Sequence, residues 1–235
     1  MRRMKRRNSR GQTFIEFLFV MLWAVPFLLI TIALGMNLIK GLEVIQLARD
    51  TASMYARKVD FTAPATKAML DRIGNGLNLK TTDHTASKAV IVLSAMTFMD
   101  TNACNTAIAS GCGCGNRGKW VFAQYQILPP ASDIATQSTY GNPGGTSGLV
   151  ASNGQLQLCN STNHSLSYAN NGAALAVGFD ERGITSWGDG SAGFGLPSGQ
   201  LVYMIEVTAN GYAVPGLLDP APGHTSPLIY NYAVF

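Results

Sequence analysis

Arg10-Gly11-Gln12-Thr13-Phe14-Ile15-Glu16-Phe17 joins a basic leader to a long apolar run. Upstream lie Arg2, Arg3, Lys5, Arg6, Arg7 and Arg10, with no acid among residues 1–11. Downstream, the 23 residues 17–39 carry no charge. As a helix rising about 1.5 Å per residue, such a run crosses a hydrocarbon core of about 30 Å. The basic side of a span stays in the cytoplasm, so the remainder of the chain is expected to cross. Pro26 lies inside the run and is expected to bend or loosen it near Leu22, whose carbonyl loses its partner. Glu16 is the only acid in the first forty residues. A carboxylate at the edge of an apolar helix is costly unless something meets it, so its presence asks for a function.

Three processing routes compete. A secretory signal would be cut at a small-x-small triplet after the apolar run, and Ala33-Leu34-Gly35 is a poor one. An uncleaved signal anchor explains the run but not Glu16. A leader cut on its basic side explains both. The pattern Gly11-x-x-x-x-Glu16-Phe17 resembles the processing site of type IV prepilins, and Phe17 matches the Glu-Phe/Tyr variant of the tight-adherence (Flp) branch. The basic Arg-Gly-Gln start, the single span and a following helix with Ala48-Arg49-Asp50-Thr51-Ala52 are similar to TadE-like minor pilins. The polar opening Gln12-Thr13 departs from the family pattern. The resemblance covers residues 10–60.

That resemblance implies cleavage by a prepilin peptidase between Gly11 and Gln12. It implies that Glu16, fifth in the mature chain and followed by Phe17, meets the free amine of Gln12 on a neighbouring subunit. It also implies other pilin subunits, an inner-membrane assembly platform and membrane lipid as partners. The location implied is the inner membrane, single-pass with an exported C-terminal domain, and then an extracellular filament.

The whole chain has 17 basic and 13 acidic residues. Six of the basic ones are in the leader, leaving 11 against 13 acids after residue 11. The basicity is thus a topology signal, and no nucleic-acid partner is expected. The sequence divides into a leader (1–11), a transmembrane or assembly helix (12–39), an amphipathic helical region (40–76) and an exported β-rich domain (77–235).

In the amphipathic part, Leu42, Ile45, Ala48, Ala52, Tyr55 and Val59 recur at spacings of three and four. Thr62 is expected to cap a short second helix with Pro64 in its first turn, ending at Gly74-Asn75-Gly76. Strands are expected over 89–98, 119–128, 201–209 and 228–235. The fold expected is α+β: a long N-terminal helix, transmembrane then amphipathic, packed pilin-like on an antiparallel sheet of about four strands.

Cys104, Cys112, Cys114 and Cys159 all lie beyond the span, and an even count in an oxidising compartment reads as two disulfides. One bridge is expected to close the Cys104–Cys114 region and one to reach Cys159. A metal site using His164 beside Cys159 is the rival; the Cys-x-Cys spacing fits zinc poorly, so no metal is assigned. His84, His164 and His224 are scattered among loop residues and no catalytic set emerges. Neither an enzyme nor a cofactor is expected. Asp180, Glu181 and Asp189 lack the oxygen-ligand ladder of a calcium loop.

Residues 129–198 are rich in Gly, Ser, Asn and Thr and form a long loop by sequence. Such loops often carry recognition. Its Tyr140, Tyr168, Phe179, Trp187 and Phe194 are the expected anchors. The alternative function is an uncleaved, membrane-anchored periplasmic domain that binds a ligand or catalyses a reaction.

Overall fold

A computed structural model describes residues 10–130, 138–177, 200–211 and 228–234, with side chains from Phe14 onward. Helix α1 (Arg10–Ala56) runs unbroken through Pro26. A short helix α2 (Pro64–Ile73) follows. Strand β1 (Ala89–Phe98) leads into a helix α3 (Thr101–Ala109) and then β2 (Trp120–Leu128). Strands β3 (Val202–Asn210) and β4 (Leu228–Val234) complete one antiparallel sheet in the order β2-β1-β3-β4. The four strands lie within about a residue of the sequence expectation. Helix α3 was not foreseen: Asp100 caps it, its carboxylate accepting from the Ala103 N–H at 2.7 Å.

Helix α1 has two different halves. From Phe14 to Ile39 most of its large apolar side chains are exposed, Trp23 by 77%, while Ile30 and Met36 are half-buried and Ala33 is buried. By length and composition this part is able to cross a membrane. Beyond it, α1 packs over β3 and β4. The buried stripe there is Lys40, Val44, Leu47, Ala48, Thr51, Ala52 and Tyr55, which shares Ala48, Ala52 and Tyr55 with the one read from apolar spacing. Leu42 is exposed, Ile45 is half-buried and Val59 lies past the helix end. The stripe is rotated because two polar residues lie on the buried arc. Lys40 is held there because its ammonium donates to the Asn210 carbonyl, 2.8 Å away at the end of β3.

Helix α1 stops in a double-bonded turn. The Lys58 N–H donates to the Tyr55 carbonyl (2.9 Å) and the Val59 N–H to that of Met54 (3.2 Å). This is the Schellman arrangement, and it puts Lys58 at a φ of 60°. Glycine usually takes that position; a lysine there costs about 1–2 kcal/mol. Thr62 does not cap α2. Asp60 takes both its N–H and its hydroxyl, so the cap residue is Ala63, without a side-chain bond.

The sheet is covered on both faces. Ile91, Leu93, Ile205 and Val207 face α1, α2 and the segment through Leu79. Val92, Met96, Val202 and Met204 face the opposite way, onto Tyr140, Leu149, Leu156 and Ala174. β1 is accordingly buried along nearly its whole length, which is why it reads as a continuous apolar run. The long polar segment therefore supplies a second layer, where sequence reading left length without core. It is built from side-chain caps: Asn163 and Asn171 accept from the N–H two residues on, and buried Asn116 donates to the carbonyls of Tyr168 and Asn171 at 2.8 Å each. None of this has a period.

A bulge in β2 decides which way that strand's side chains point. Ala95 pairs with Gln124 but Met96 pairs with Phe122, so Ala123 is the extra residue. The bulge sends Phe122 to the second-layer face and Gln124 and Gln126 to the α1 face. Without it Phe122 and Gln124 would share a face.

Candidate functional site

The sequence placed its processing and assembly residues at the start of α1. Gly11 and Gln12 fall in the first turns of that helix, and the leader before Arg10 lies outside the described residues. Glu16 is exposed and has no hydrogen-bond or ion-pair partner among the described residues. It shares a face with Phe19, Val20, Trp23, Ala24 and Phe27, at helical spacing, and these line a shallow apolar groove. Phe17, 54% exposed, flanks it. The arrangement is one carboxylate at the end of an apolar helix face that the other described residues do not cover. Such a face is stable only in lipid or against other apolar helices, and its carboxylate calls for a cation or donor there.

The cysteines are joined as Cys104–Cys114 and Cys112–Cys159. With Ala107 of α3, Met99 and Val121 they form a third small core. Cys112, Cys159 and His164 lie together, with their ligand atoms within 4.8 Å of one another. This is the neighbourhood the sequence flagged as a rival metal site. Both sulfurs are spent in one disulfide, and the His164 Nδ1 is 2.7 Å from the Gly111 carbonyl, where it donates its proton. A disulfide sulfur offers no thiolate, so the trio as bonded is a structural clasp. It ties the α3 turn to the second layer. Replacing Cys112 and Cys159 together by serine is expected to lower stability by about 4 kcal/mol, from the 47-residue separation they span. Chemical denaturation of the two proteins measures it. A loss under about 1 kcal/mol would mean that the unfolded chain is restrained in some other way.

Sequence reading missed a buried acid. Glu206, in the middle of β3, is only 2% exposed. Its carboxylate accepts from the Thr139 N–H at 2.9 Å and the Tyr230 hydroxyl at 2.8 Å, and from the Ser138 hydroxyl. The Ser138 N–H in turn donates to the Tyr125 hydroxyl at 3.0 Å. Glu206 thus pins the start of the second layer to β3 and β4. The signal was present: an isolated acid in the apolar stretch 202–209, the same oddity that singled out Glu16.

This cluster sets an alkaline limit. Burial pushes the Tyr125 hydroxyl up to about 12, with the Glu206 charge adding and the Ser138 hydrogen bond opposing. Burial, then Glu206, raise the Tyr230 hydroxyl as well. A raised folded value stabilises the fold while the unfolded phenol is still neutral. That contribution is whole below the ordinary value of 10.0 and is lost as pH rises towards about 12. Stability is expected to fall across that window. Tyrosinate absorbance and circular dichroism recorded together should change in one transition.

Two of the five loop aromatics lack the exposure that a recognition anchor needs. Tyr140 is 1% exposed, and Tyr168 is half-buried against both the second-layer and the disulfide cores. Phe179, Trp187, Phe194 and the acids Asp180, Glu181 and Asp189 lie outside the described residues, as does His224. His84 sits exposed in the turn before β1. No known family pattern matches this chain, and neither does any characterised protein or solved structure.

Proposed function

We propose that this chain is a minor pilin or pseudopilin of a tight-adherence type IV pilus, a structural subunit and not an enzyme. One observation carries the reading. A Gly-x-x-x-x-Glu-Phe step stands where a basic leader meets a helix, and most of the apolar side chains in the first half of that helix are exposed. Prepilin peptidase removes residues 1–11. Glu16 then pairs with the new Gln12 amine of a neighbouring subunit among packed helices, where a pair in low dielectric fixes register and a lone carboxylate is penalised. The second half of α1 carries the pilin-like domain. The chain starts in the inner membrane and is drawn by the assembly platform into or onto the tip of a filament for adhesion or secretion.

Mass spectrometry of the protein from its native membranes tests the reading. The expected N-terminus is Gln12. A chain beginning at Met1 would leave an anchored exported domain in place of a pilin, and one beginning after Gly35 would make it a secreted protein.

A further inference from the structure

A cleft of about 500 Å³ opens where the end of α1, the turn before α2, the bulged strand β2 and the turn at 153–155 meet. Small-ligand sites usually measure about 300–1,000 Å³. α1 crosses β3 and β4 and stops short of β2, so the α1-side face of β2 is left open beside Tyr55. The bulge at Ala123 aims Gln124 and Gln126 onto that face.

The floor is aromatic. Tyr55 meets Phe61 and Tyr203 edge-on, with ring centroids 5.7 and 5.1 Å apart. The walls are amides: Gln124, Gln126, Asn153 and Gln155. The Tyr55 hydroxyl donates to the Gln124 Oε1 at 2.9 Å, which orients that amide and presents its N–H2. The side-chain amides of Gln126 and Gln155 have no hydrogen-bond partner among the described residues.

The walls are also held firmly. The Tyr125 N–H donates to the Gly154 carbonyl at 2.7 Å, and the Leu156 N–H to that of Ala123 at 2.9 Å. Gly154 has a φ of +81°, and a Cβ there would meet the Tyr125 carbonyl at 3.0 Å, so only glycine lets the turn come this close to β2. At the mouth, Lys58 keeps the left-handed conformation that glycine adopts more readily.

We propose that this cleft binds a neutral saccharide. Amide groups both donate and accept, as sugar hydroxyls do, and Tyr203, the half-buried ring of the floor, offers an apolar surface to a pyranose while Tyr55 and Phe61 back it. Lys58 and Asp60 both line the cleft and carry opposite charges, so an anionic ligand gains little net attraction. An apolar ligand would strip water from four amides without replacing their hydrogen bonds. A peptide strand cannot add to β2 here, because residues 154–156 already occupy that edge. The inference is independent of whether residues 1–11 are removed.

The test uses the full chain, purified in a detergent without a sugar headgroup. Glucose, galactose, N-acetylglucosamine and their disaccharides are titrated by saturation-transfer NMR and calorimetry. At least one is expected to bind with a dissociation constant on the order of 1 mM or tighter. Gln126→Ala with Gln155→Ala should weaken it by about tenfold or more, with the melting temperature unchanged. No binding by any of these sugars at about 20 mM would overturn the proposal. So would binding that the double variant leaves intact, or at least tenfold preference for the acidic sugar N-acetylneuraminic acid.

Discussion

Glu16→Ala is expected to remove the protein from filaments while leaving cleavage after Gly11, both disulfides and the exported domain unchanged. Glu16 makes no contact that the fold depends on, since it stands exposed with no hydrogen-bond or ion-pair partner among the described residues. Under the proposed function its partner is the Gln12 amine of the next subunit. Removing one member of an ion pair formed away from water costs about 3–5 kcal/mol. Spread over one subunit contact, about 3 kcal/mol lowers incorporation on the order of a hundredfold. Quantitative immunoblotting of sheared filaments against the membrane fraction reads it. The companion variant Gly11→Phe should instead hold the full-length chain in the membrane. If Glu16→Ala enters filaments at the parental level, the pairing with Gln12 is wrong even where cleavage is right.

Glu206→Ala is expected to loosen the second layer of the domain that follows the apolar helix. It leaves the Ser138 hydroxyl, the Thr139 N–H and the Tyr230 hydroxyl facing an empty site. Only the Ser138 hydroxyl is fully buried, while Thr139 and Tyr230 are exposed enough to regain water, so with about 1–3 kcal/mol for a stranded buried donor the expected loss is about 2–3 kcal/mol. For a domain of this size the melting temperature should drop by roughly 10 °C. The damage should be local first: residues 138–177 should become sensitive to protease before the sheet melts, because Glu206 holds their entry point. Glu206→Gln keeps the shape and one acceptor and should lose less. A Glu206→Ala protein within about 0.5 kcal/mol of the parent would show that the second layer is held by its apolar contacts alone.

The two acids show how far sequence reading reached. Glu16 stood out because a long run of uncharged helix leaves nothing to hide it. Glu206 is equally isolated, but a strand is only nine residues long and acids on strand faces exposed to water are ordinary. Its burial depends on what covers the other face of the sheet, and that cover is a Gly- and Asn-rich segment without periodicity. The same segment made Tyr140 look like an exposed anchor when it is a core residue.

The sequence alone determined the local elements. An uncharged run of membrane length, Pro64 at the start of α2, and four β-rich stretches, three of them flanked by Gly, Pro or Asn, each arise from nearest-neighbour backbone preference and burial patterning. Tertiary structure decided what those elements face. It turned the buried arc of α1 so that Lys40 could reach the Asn210 carbonyl. It placed one extra residue, Ala123, in β2, which reverses every side chain beyond it. It joined Cys112 to Cys159 across the α3 turn and the second layer. These choices rest on contacts between residues far apart in the chain, whose energies enter only once loops have closed, and no window of local sequence contains both partners.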